Sequence, residues 1–205
     1  MAGRKQFDVD EALVRSMHVF WQRGYADASL DLLSSATGLG RGSLYGTFGG
    51  KDALFRQSLD RYSSTYGEQY EKALTDHPDD PVGAVEAFFG VVLDRIADPA
   101  VPDGCLMAQS ATQAATLSPE SRAHVRALLG RQRDRLRAAL SGSGADTENS
   151  EELDDLATYV VAVHQSLAVL SRAGMPLDDL RAVARIACTT VADTLARART
   201  GRTAD

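Results

Sequence analysis

Apolar residues return every three or four positions through most of this chain, and no useful stretch alternates at every second position. A period near 3.6 builds one buried face on an α-helix, whereas a half-buried strand needs a period of two. The chain is therefore restricted to an all-α fold, and its stripes and breaks give about nine helices. In residues 8–24 the stripe is Val9, Ala12, Leu13, Met17, Phe20 and Trp21. Asp8 and Glu11 form a capping-box pattern before it, and Gly24 stands where a left-handed cap would end it.

Ser29 can cap a second, short helix over 30–37. Gly38-Leu39-Gly40 then breaks the pattern, and Arg41-Gly42-Ser43-Leu44-Tyr45 resumes it. Two short helices joined by a glycine-bearing turn make a helix-turn-helix over about 29–48, in which the first helix braces the second against a DNA groove. From residue 51 a long connecting helix carries Leu54, Phe55, Leu59, Tyr62, Tyr66 and Tyr70 until Pro78 and Pro81 stop it. Further helices are expected over 82–97, 105–116, 118–140, 151–172 and 177–199, with a polar Gly/Ser loop at 141–150. Residues 1–50 read as a three-helix head and 51–205 as a helical body for ligand binding and dimerisation.

The net charge of −6 argues against nucleic acid as a partner only if it is spread evenly. It is not. Residues 1–57 hold seven of the 22 basic and six of the 28 acidic side chains, a balance of +1, which leaves −7 for residues 58–205. A nearly neutral head on an acidic body suits contact with DNA at one end. The opening residues lack an apolar export core, and Glu86, Asp94 and Arg95 interrupt the greasiest stretch, so a cytoplasmic protein without membrane contact is expected. The four histidines, His18, His77, His124 and His164, lie far apart, and Cys105 and Cys188 have no C-x-x-C partner. No metal site, cofactor motif, P-loop or nucleophile elbow is indicated, and no enzyme is expected.

Some side chains suit DNA on chemical grounds alone. Arg41 has a forked donor for the acceptor edge of guanine or for phosphate, and Ser43 and Thr47 offer short hydroxyls. Gly40 and Gly42 would let backbone approach closely, Tyr45 can reach a phosphate or a thymine methyl, and Lys51 can pair with phosphate near a helix N-terminus. These residues fall within a longer ordered pattern: Phe20-Trp21-x-x-Gly24-Tyr25, Ser29-Leu30-x-x-Leu33, Ala36-x-Gly38-Leu39, then Gly42-Ser43-Leu44-Tyr45-x-x-Phe48-x-x-Lys51-x-x-Leu54-Phe55. The pattern closely resembles the DNA-binding head of the TetR family of repressors. The resemblance implies DNA contacts from Arg41, Gly42, Ser43, Tyr45 and Thr47 on the recognition helix and from Ser29 and Lys51 at flanking phosphates. Arg4 and Lys5 are candidates for an N-terminal arm. Three positions depart from the family pattern: Ala28 where Thr is frequent, Thr47 where His or an aromatic is common, and Gly50 in place of a capping Ser.

One head makes too few base contacts for specificity against a genome, so a homodimer on a palindromic operator is expected. The stripes Leu156, Val160, Val163, Leu167 and Leu170 and then Leu180, Val183, Ala184, Ala187, Val191 and Leu195 are candidate pairing faces, with internal core as the other reading. For a small organic effector that releases the DNA, the central helices offer Phe88, Phe89, Leu93, Cys105, Met107, Gln109, Gln113, Tyr159, His164 and Met175. Cys105, at a helix start, is also a candidate for an oxidant-sensing thiol or an inert core residue. The function expected is a DNA-binding transcriptional repressor. The alternative is a helical ligand carrier or enzyme that does not bind DNA.

Overall fold

The computed structural model describes residues 8–142 and 150–200. Among these residues the chain is all α, with no strand: α1 Val9–Asp27, α2 Leu30–Thr37, α3 Arg41–Phe48, α4 Lys51–Thr75, α5 Pro81–Ala97 and α6 Leu106–Thr112, followed by a 3-10 turn at Ala114–Thr116. Then come α7 Pro119–Ser141, α8 Ser150–Arg172 and α9 Leu177–Thr200. Local chemistry sets the starts. Asp8 accepts from the amides of Asp10 and Glu11, Ser29 from Leu32, and Asp80 from Gly83, with Pro81 in the first turn of α5. Each such cap contributes about 1 kcal/mol by satisfying amides that have no partner within the helix.

Gly24 breaks α1 where the sequence pattern places its end, and a short helical piece follows the break. The glycine takes φ 76°, ψ 173°, kinks the chain, and helical structure resumes as far as Asp27. A Cβ at this position would meet the Gln113 side chain at 2.2 Å, and Gln113 Oε1 accepts from the Ala26 amide at 3.3 Å. The region expected as one helix over 105–116 is likewise α6 plus the separate 3-10 turn.

The chain divides into two compact units. The first joins residues 1–65 to 105–127, and the second joins 66–104 to 128–205. In the first, α1 packs on α2 and on α6. Its centre is aromatic: the Phe20 and Phe55 rings lie 5.1 Å apart, and Trp21 and Tyr62 lie 4.9 Å apart at 89°. In the second, α5, α8 and α9 pack together around Phe88, Phe89, Val92, Val160, Leu167 and Val191. No described helix is long and apolar enough to cross a membrane.

Candidate nucleic-acid interface

Helices α2 and α3 are joined by Gly38, whose φ of 70° makes the left-handed turn that a side chain would resist. Leu44 and Phe48, four residues apart on α3, are buried, as are Leu33 on α2 and Leu39 in the turn. That inward pair fixes the rotation of α3. Its remaining positions, Arg41, Gly42, Ser43, Tyr45, Gly46 and Thr47, are exposed, with Tyr45 at 51%. A large aromatic left half open beside two hydroxyls, an arginine and two glycines forms a surface with hydrogen-bonding and stacking capacity and little bulk. The glycines have no internal reason to be there: a Cβ at Gly42 or Gly46 meets nothing within 4 Å. Glycine inside a helix costs about 0.5–1 kcal/mol relative to alanine, and at these two positions it leaves the exposed face of α3 with little bulk. Gly46, which the sequence pattern does not single out, lies on the same exposed face.

Tyr45 is held from behind. Gly50 takes φ 109°, and a Cβ there would lie 3.1 Å from Tyr45 Cε1. Gly50 is thus more than a weak substitute for a capping Ser: it makes room for the Tyr45 ring. Arg41 points toward α2, where its Nε and Nη2 donate to Asp31 Oδ1 at 3.1 and 2.6 Å. Ser29 is exposed at the start of α2, and its Oγ accepts from Leu32, leaving its own proton to donate outward. Lys51 opens α4, donates to the Ala26 carbonyl at 3.4 Å and sits 4.6 Å over the Tyr25 ring. Burial lowers its pKa against the opposing pull of Asp27. Next to it Asp52 accepts from Ser118 at 3.1 Å and Ser121 at 2.8 Å and pairs with Arg56. Burial alone would raise the Asp52 pKa, but the serine and arginine donors outweigh it and hold the carboxyl below its usual range. Arg4 and Lys5 lie outside the described residues.

The candidate effector residues separate. Phe88, Phe89 and His164 meet in the core of the second unit, with Leu93, Tyr159 and Met175 packed against it. Cys105, Met107, Gln109 and Gln113 belong to the first unit. Gln113 is occupied at Gly24 and Ala26, and the buried Cys105 thiol accepts from the Tyr62 hydroxyl at 3.1 Å. His164 is 2% exposed, and Gln132 Nε2 donates to its Nδ1 at 2.8 Å. The ring proton therefore lies on Nε2, a buried donor with no hydrogen-bond partner among the described residues. Arg95, 6% exposed, donates through Nε to the Tyr70 hydroxyl and through Nη1 to the Gly104 carbonyl. The sequence does not single out Arg95 and Gln132 as interior groups, because charge and amide side chains on helices ordinarily face water, and it offers Tyr70 only as part of an apolar stripe.

The candidate pairing stripes lie mostly inside the chain. Leu156, Val160, Leu167, Leu180, Ala184, Ala187 and Val191 are at most 5% exposed, and Val163, Leu170, Val183 and Leu195 are half-buried against the same core. These side chains cover one another between α8, α9 and α5. The large apolar side chains left open on the two helices are Val169, 47% exposed, and Ile186, 61% exposed.

Residues 12–57 match the family model described as bacterial regulatory proteins of the tetR family, and residues 81–194 match the tetracyclin repressor-like C-terminal domain. The chain is 32% identical to the HTH-type transcriptional repressor ComR of Escherichia coli over 185 residues, 88% of this chain and 87% of that protein. It is 28% identical to the uncharacterized HTH-type transcriptional regulator YezE of Bacillus subtilis, over 88% and 94% of the two chains. Among solved structures it is similar to the TetR family regulator CifR, with TM-score 0.79, 31% identity and coverage of 90% and 97%; that structure is a cysteine mutant complexed with 26-base-pair operator DNA.

Proposed function

Because this chain belongs to the TetR family and is a DNA-binding transcriptional regulator, we propose that it reads a palindromic operator through the open face of α3 and represses from that site. One observation carries the reading: Leu44 and Phe48 anchor α3 inward, and every other residue from Arg41 to Thr47 is exposed. Arg41, Ser43, Tyr45 and Thr47 face base edges, Gly42 lets the backbone approach, and Ser29 and Lys51 take phosphates at the starts of α2 and α4.

Two copies pair through α8 and α9 so that two heads reach successive major grooves about 34–36 Å apart. Val169 on α8 and Ile186 on α9 belong to that contact, since each is a large apolar side chain left open on a pairing helix. The effector is a small organic molecule taken up in the second unit beside Phe88 and His164, with the His164 Nε2 proton as its polar anchor. Its binding favours a spacing of heads that no longer fits the operator.

The test is selection of bound duplexes from a random pool, followed by binding of the recovered site across a salt series. Nanomolar affinity with a steep salt dependence, weakened but still measurable in Tyr45→Ala and Arg41→Ala, is the expected result. Recovery of no site, or binding indifferent to both substitutions, removes the assigned face.

A further inference from the structure

We infer that Asp31 sets the base preference of Arg41, a positioning role that rests on the reading of Arg41 as a base contact. Arg41 is the first residue of α3 and Asp31 lies in the first turn of α2. The arginine uses Nε and Nη2 on one carboxylate oxygen, at 3.1 and 2.6 Å. That leaves the far edge of the guanidinium, Nη1 and the second Nη2 proton, as a free fork. A fork of two parallel N–H groups is the donor set that fits O6 and N7 of guanine and no other base edge as well.

Asp31 stands in the first turn of α2, where a negative charge is modestly favourable to the helix. Its side chain is 75% exposed and that of Arg41 62%, and an ion pair this open contributes little to folding. Facing DNA, its charge repels phosphate and weakens binding to every sequence alike. α3 itself contains no acidic residue, and a charge at the start of α2 needs no arginine beside it, so the pairing calls for a use of its own. Holding a flexible arginine in one plane gives it one: an unrestrained Arg41 could swing to the nearest phosphate, where it would add affinity and carry no sequence information. Asp31 thereby exchanges general affinity for discrimination.

Wild type, Asp31→Ala, Arg41→Ala and the double variant are compared on the site recovered by selection, on its single-base-pair variants, and on a scrambled duplex of equal length. Arg41→Ala is expected to lose preference at one guanine in each half-site. Asp31→Ala is expected to lose roughly tenfold discrimination at that same base pair while binding the scrambled duplex more tightly, and to add nothing at that base pair in the Arg41→Ala background. Asp31→Glu is expected to recover part of the discrimination, and any fall in melting temperature in Asp31→Ala should be small and restored by Asp31→Glu. An equal shift on all duplexes, or loss of preference at a different base pair, overturns the positioning role and leaves Arg41 as a base contact. If Arg41→Ala alters no single position, the reading of Arg41 fails and the inference falls with it.

Discussion

Gly42 and Gly50 separate stability from binding at the level of single atoms. Adding one methyl at Gly42 meets nothing inside the protein and removes a helix-disfavouring residue. Gly42→Ala should leave the melting temperature unchanged or raise stability by up to about 1 kcal/mol, while operator affinity falls because the methyl stands between backbone and DNA. Unchanged affinity in a gel-shift titration would refute the close approach. Gly50→Ala should behave differently. Its φ of 109° disfavours any side chain, and the new methyl presses on the Tyr45 ring, so stability drops by about 1 kcal/mol or more and binding weakens too.

At the scale of elements, the kink in α1 and the side chain of Gln113 depend on each other. Gly24→Ala must displace the Gln113 amide, which occupies the space at 2.2 Å, and it strains a positive φ as well. A loss of about 1–3 kcal/mol is expected from such overpacking, measured by denaturant unfolding; Gln113→Ala combined with Gly24→Ala should recover part of it by clearing the space. This pair also marks what sequence could and could not tell. The face of α3 was legible because its signals are local: side-chain chemistry and an ordered family pattern marked Arg41, Ser43, Tyr45 and Thr47, while the burial of Leu44 and Phe48 that turns them outward came only with the structure. Gln113 looked equally available for a ligand, since nothing nearby in sequence announces a partner 87 residues away. The stripes of α8 and α9 were read correctly as apolar faces, but periodicity cannot say whose surface covers a face. Seven of those side chains are covered within the chain, and Val169 and Ile186, off the stripes, are open.

For the molecule as a whole, two measurements bear on pairing and on the buried polar core. Ile186→Asp places a charge on the proposed contact without touching the interior; sedimentation should show a shift from dimer to monomer, with operator affinity falling by more than tenfold. A dimer of unchanged strength would exclude that face. His164 is one source of acid sensitivity. Burial, aided by the nearby Arg95 charge, pushes its pKa down to about 3 from 6.5. Between these values the unfolded chain binds a proton that the folded chain refuses. The stability contributed is therefore complete above pH 6.5 and declines by about 1.4 kcal/mol per pH unit as the pH falls toward 3. His164→Gln should flatten stability against pH between 6.5 and 5 relative to wild type.

Because the compact unit that carries α1 to α3 also includes residues 105–127, the DNA reader is written in two separate passages of the chain. A fragment cut after residue 50 would leave the Trp21 side of α1 without Tyr62 and the Gly24 corner without Gln113. Anyone transplanting this reader onto another scaffold must carry both passages, and a recombination event that exchanges only the first would inherit the letters of recognition without the spine that binds them.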